Sequence, residues 1–215
     1  MKKCVLITRP RHDFTTNCLY YWSSIVIEKA TKKGFTVLDL GEKKANKLDF
    51  DSYIKKNTPK LVFFNGHGNE NTITGNDNEA LVRTDKDEGL LSGKVIYARS
   101  CNAASIFGES CVKNGTIAFI GYKDKFSFAS SSGKATRPLQ DGLIKLFLEP
   151  SNLIPISLIK GNTVSKAYRK SQEGMLRNLR SMISSQSSLE QRSVAFLLWK
   201  NIQSQVLIGD DQAVV

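Results

Sequence analysis

The feature that most constrains this chain is a repeated exchange of period: short, almost wholly apolar runs alternate with stretches whose apolar residues recur every three or four positions. The first run, Cys4 to Thr8, is β-branched and too short for a helix. From about Thr16 to Lys33 the spacing turns helical and stops at Gly34. Phe35 to Leu40 is a second strand, a charged stretch from about Asp49 to Lys56 a short helix, and Pro59 leads into a third strand, KLVFFNG. A polar segment, NENTITGNDNEA, holds a hairpin or loop. KVIYARS is then a fourth apolar strand, Asn102 to Asn114 a helix closed by Gly115, and TIAFIGY a fifth strand. Leu139 to Leu148, Thr163 to Met182 and Leu189 to Asn201 have helical spacing, and Gln205 to Ile208 is a last short strand. Strands that are apolar on both faces suit a parallel sheet covered by helices above and below, so the expected class is α/β with a mostly parallel central sheet.

At 215 residues the chain is long enough to bury a core without disulfides or metal, and one domain spanning 1–215 is expected. Its net charge of +11 attracts polyanions or acidic partners but chooses none. The basic residues are spread along the chain, no helix-turn-helix, zinc or RNP-type signature accompanies them, and nucleic acid is not an expected partner. Only four apolar residues follow the lysines of MKKCVLITRPRHD, too few for a secretory core, and no later run is read as reaching the roughly 18 apolar residues of a membrane span. A cytoplasmic location away from membranes is the expectation. TRPRHD stands where a dinucleotide-binding G-x-G-x-x-G would follow the first strand, there is no P-loop, and no cofactor is expected. Four cysteines without C-x-x-C spacing and only two histidines, His12 and His67, give an expectation of no metal site.

Chemistry concentrates at two strand ends. His67, in FFNGHGNE, follows an apolar strand and sits between two glycines, where backbone can approach closely. Cys101, in KVIYARSCNAAS, follows another and is succeeded by small residues and a helix whose N-terminus would lower the thiol pKa. In a parallel sheet, loops beyond the strand C-termini gather functional groups, so a histidine and a cysteine there come within reach of each other. His12 is a competing base without flanking glycines, whereas Cys4, Cys18 and Cys111 are read as packing residues.

These motifs resemble the caspase-like superfamily of cysteine peptidases, with SCNAA closest to the CHAT and gingipain form. The strand AFIGY, the segment KGNTVSKAYRKS and the terminal VLIGDDQA extend the resemblance; Asp211 stands where the usual G-D-P ending has proline. The resemblance implies a caspase-like three-layer sandwich and a cysteine endopeptidase acting on a protein or peptide substrate. His67 would be the base, Cys101 the nucleophile, and the N–H groups of Gly68 and Cys101 the oxyanion hole. No third carboxylate is required and none is evident in the sequence. Relatives line the S1 pocket with the residue two before the cysteine, here Arg99, which implies an acidic P1 residue; Asp124 is the competing candidate and would favour Lys or Arg. A latent state released by cleavage, dimerisation or an activating protein partner is also implied; the loop from Lys123 to Pro138 is the candidate activation or gating segment on its Ser/Gly/Lys composition. The alternative is a catalytically silent binding or regulatory domain that acts through its basic surface.

Overall fold

A computed structural model describes residues 3–131 and 137–215. Six strands form one sheet in the order β2-β1-β3-β6-β7-β8. They are β1 (Cys4–Arg9), β2 (Thr36–Gly41), β3 (Leu61–Asn65), β6 (Val95–Arg99), β7 (Ala118–Tyr122) and β8 (Gln205–Gly209), and all pairings are parallel except β7 with β8. The polar segment after β3 folds as a separate antiparallel hairpin, β4 (Thr72–Thr74) with β5 (Ala80–Arg83).

The period of two within the strands sorts the core into two layers. Val5, Ile7, Phe63, Tyr97 and Ile120 point to the face covered by α1 (Phe14–Lys32), α4 (Gly142–Ile159) and α5 (Val164–Met182). Leu6, Val62, Phe64, Ile96 and Phe119 point to the other, covered by α2 (Lys47–Asn57), α3 (Phe107–Lys113) and the hairpin. A third cluster joins α4 and α5 to α6 (Leu189–Ser204) through Phe147, Met175, Met182 and Leu198. Every residue of β1, β3, β6 and β7 is buried, as the continuous apolar runs require.

Three expectations are corrected. The helix after Cys101 does not start at Asn102. Asn102 adopts a left-handed φ of 56°, residues 101–106 form turns, and α3 begins only at Phe107. Leu139 belongs to a short 3-10 turn, and the helix that follows continues well past Leu148, through Pro150 and Pro155. Pro150 offers no N–H to the carbonyl of Leu146, and Asn178 of α5 donates to that oxygen instead, at 2.7 Å. The extended α4 is also long and apolar enough by composition to cross a bilayer, but 67% of it is buried inside the fold, which is where a core helix keeps its apolar surface. Of the loop expected from Lys123 to Pro138, residues 132–136 lie outside the described residues.

Candidate active site

The chain leaves β1 toward β2 on one side of the sheet and returns at β3 on the other, so the order reverses between β1 and β3. Loops diverge there beyond the strand C-termini and leave a crevice. Asp13, His67 and Cys101 follow β1, β3 and β6, three adjacent strands.

Register brings the turns that carry His67 and Cys101 side by side. Asn65 is level with Arg99 on β6, and each candidate lies two positions further along its own strand. Neighbouring strands run ~4.8 Å apart, so the two turns touch. A methyl group built on Gly68 would lie 3.1 Å from Ser100 Cβ and 3.5 Å from the Cys101 carbonyl oxygen. The glycines flanking His67 have a steric cause: a Cβ at Gly66, whose φ is +142°, would stand 2.7 Å from the Thr74 carbonyl, and one at Gly68 would stand 2.9 Å from that of Thr72. The hairpin is pinned to this turn by Asn69 N–H donating to Thr72 O and Thr74 N–H donating to His67 O, a pattern that does not use the Gly68 N–H.

One carboxylate, not read from the sequence as a third group, joins the histidine. Asp13 is the N-cap of α1: its Oδ1 accepts the Thr16 N–H at 2.7 Å and the Thr16 hydroxyl at 2.8 Å. That leaves Oδ2, which lies 2.5 Å from His67 Nε2. Burial alone would raise this carboxyl, but the Thr16 N–H and the contact with His67 outweigh it and hold the group at about 2. The signal for Asp13 was present in D-F-T-T before an apolar helix: an Asp N-cap with Thr three positions on fixes the acid at the head of α1, on the same edge of the sheet as the strand ends. His12, the competing base, lies alongside, with its ring centroid 6.0 Å from that of His67.

Cys101 is half-buried, and its thiol points toward the Phe126 carbonyl at 3.8 Å. Burial pushes the thiol above its ordinary value, more than the Phe126 backbone and Lys125 draw it down, and the helix expected to lower it begins only at Phe107. Cys4, Cys18 and Cys111 are buried; burial drives the Cys18 thiol to about 12 and that of Cys111 higher still. The segment over Cys101 is held by Asn201 of α6, which accepts the Ser127 N–H at 3.0 Å and donates to the Ser127 carbonyl at 2.6 Å.

The two candidates for substrate recognition part company. Arg99 has no exposed surface: its guanidinium donates to Asn65 Oδ1, Ser151 Oγ and Asn152 Oδ1 and lies 5.1 Å over the Phe63 ring. A substrate carboxylate would have to break that network to reach it. Asp124 is exposed in the turn after β7, and its carbonyl accepts the N–H of Asn102, the residue next to Cys101.

A six-stranded, mostly parallel sheet between two helical layers, with these loops at one edge, is a caspase-like three-layer α/β sandwich. Solved structures share it over 99% of the chain: the Arg-specific cysteine proteinase gingipain R (RGPB), at TM-score 0.63 and 12% identity, and the complex of Porphyromonas gingivalis RgpB pro- and mature domains, at 0.61 and 11%. A third, described as a protease, superposes at 0.52 and 13%. The chain spans about half of each, 47% of the first and 48% of the other two. No protein-family model and no curated protein matches the chain.

Proposed function

We propose that the protein is a cysteine endopeptidase in which Cys101 attacks and His67 moves the proton. The observation that supports this reading is the strand register, by which the turns that carry His67 and Cys101 follow paired positions of β3 and β6, with Asp13 on one ring nitrogen of the histidine. The Cys101 proton passes to His67 as Sγ adds to the peptide carbonyl, and the N–H groups of Gly68 and Cys101 receive the oxyanion. His67 then protonates the departing amine, and water releases the acyl group from the thioester. Asp13 acts as a positioning residue: it fixes the ring so that the other nitrogen serves the thiol. The thiol is raised by burial and turned to the Phe126 carbonyl, so the reaction begins with the Cys101 side chain rotating from Phe126 toward His67. The gingipain side of the sequence resemblance has counterparts of similar fold, while the CHAT side rests on sequence motifs such as SCNAA and the terminal VLIGDDQA.

For P1, an exposed Asp124 near Cys101 and a buried Arg99 favour Lys or Arg over an acidic residue. The similar gingipain R is described as Arg-specific, which agrees with that direction.

Intact-mass measurement after exposure to peptide chloromethyl ketones bearing Arg, Lys, Asp or Glu at P1 tests both points. Wild type is expected to gain one adduct at Cys101 with the basic reagents, and Cys101→Ala and His67→Ala none. Labelling with acidic reagents only would reverse the specificity. Adduct formation independent of His67 would remove the dyad. The second reading, a catalytically silent binding domain, is favoured by the raised, covered thiol, and would appear as no adduct together with iodoacetamide reacting no faster at Cys101 than at buried Cys111.

A further inference from the structure

The two histidines of the chain, expected to be too few for a metal, meet at the head of α1 with an acid between them. His12, Asp13 and His67 each present a ligand atom, and the three atoms lie within 4.8 Å of one another. Asp13 Oδ2 is 2.5 Å from His67 Nε2 and 3.8 Å from His12 Nε2. Its other oxygen is held by Thr16, so the carboxylate is fixed with one oxygen free. His12 supplies an independent observation. Its side chain is 12% exposed, and both ring nitrogens are buried with no hydrogen-bond partner among the described residues. Imidazole has a donor and an acceptor to satisfy, and burying both unpaired is costly, so the ring keeps a nitrogen in reserve for a ligand beside Asp13.

We propose that His12, Asp13 and His67 form a binding site for a divalent transition cation of the zinc type. Two imidazoles and a carboxylate suit zinc, whereas magnesium and calcium take oxygen ligands in larger number. Zinc bonds of ~2.0–2.2 Å in a tetrahedron set ligand atoms about 3.3 Å apart. The present separations, from 2.5 Å to at most 4.8 Å, bracket that value, so side-chain rotation suffices. The fourth position opens on a shallow pocket of about 330 Å³ lined by Arg11, His12, Asp13, Phe14 and Asn17, with room for water or a substrate group. Two features oppose a cation there. The N-terminus of α1 carries partial positive charge, and Arg11 is adjacent. The Arg11 guanidinium is drawn aside by Asn17 and Glu42, and the charge of Asp13 counters the helix end. Asp13 is therefore the ligand whose charge matters most.

A metal on His67 occupies the nitrogen now facing Asp13 and cancels the basicity of the ring, so zinc would silence the dyad; this consequence, unlike the site, rests on the peptidase reading. The test is competition for Zn²⁺ between the chelator-treated protein and a chromophoric zinc indicator. Wild type is expected to take one equivalent. His12→Ala and Asp13→Asn should each weaken binding by more than about 10-fold, the lower end for even a supporting residue, and Asn at position 13 still caps the helix. Cys101→Ser should bind as wild type does. Zinc binding lost in Cys101→Ser but intact in His12→Ala would overturn the proposal in favour of a thiol site, as would wild-type affinity no tighter than millimolar. Zinc that binds and blocks Cys101 labelling by the peptide ketones supports both readings. Zinc that binds to a protein no peptide ketone ever labels leaves the metal site standing and removes the peptidase.

Discussion

Asp13 divides its two oxygens between architecture and chemistry, and the two can be separated by substitution. Asp13→Ala removes the helix cap, a loss of about 0.5–2 kcal/mol, whereas Asp13→Asn keeps the cap and removes the charge beside His67. The folded carboxyl sits at about 2, below the ~3.9 of an unfolded aspartate. A depressed acid stabilises the fold above its unfolded pKa and ceases to do so as pH falls through the folded one. Urea unfolding between about pH 4 and pH 2 should therefore show a shallower acid decline for Asp13→Asn than for wild type, by a modest margin, since the side chain is 39% exposed and partly screened. Equal slopes would mean that the carboxylate gains nothing from His67 or Thr16. The position of His67 and Cys101 at the ends of adjacent strands was legible in the sequence, because each follows a bounded apolar run. Arg99 was misleading, since a strand buried on both faces gives no sign of which side a charged residue takes. Here it turned inward, toward Asn65 and Asn152.

Among the elements, the strands of the central sheet were read to within two residues at each end, because most are bounded apolar runs, whereas β5 lay largely beyond the segment read as a hairpin or loop. Helices were harder. The stretch after Cys101 has helical composition, but the left-handed Asn102 and the bond from Ala104 N–H to the Tyr122 carbonyl hold it as turns until Phe107. The helix read as ending at Leu148 continues as α4 through Pro150 and Pro155, and tertiary structure sustains it because α5 supplies what Pro150 withholds. The Asn178 amide is the specific compensation, at 2.7 Å from the Leu146 oxygen. Asn178→Ala should leave that partly buried carbonyl unpaired and lower stability by about 1–3 kcal/mol, measured by urea unfolding. Asn178→Asp, which cannot donate when ionised, should do no better. A loss below 0.5 kcal/mol, within about the scatter of ordinary surface changes, would show that water serves the carbonyl equally well.

At the scale of the molecule, three apolar clusters could unfold together or apart. Phe128 packs against both the cluster under α1 and the one between α4 and α6, and α4 contributes to both, which argues for one cooperative unit. The two tryptophans report on opposite ends of that question. Trp22 is buried on α1 and donates to the Pro138 carbonyl, while Trp199 is half-exposed on α6. Fluorescence of Trp22→Phe and Trp199→Phe should give coincident urea transitions; a separate, earlier Trp199 transition would mark α6 as an independent unit. The three-layer class was visible in the alternation of periods, but the pairing of distant groups such as His12 with His67 was not, because it depends on strand order, which local pattern does not encode. Strand order also has a consequence in time. β7 completes its outer edge only with β8, and Gln205 follows its partner Tyr122 by 83 positions. At a synthesis rate of about 5–20 residues per second, a nascent chain carries that apolar edge unpaired for roughly 4–17 s. An open strand edge invites pairing with other chains, so the interval before β8 arrives is when this protein most needs a chaperone or dilute surroundings.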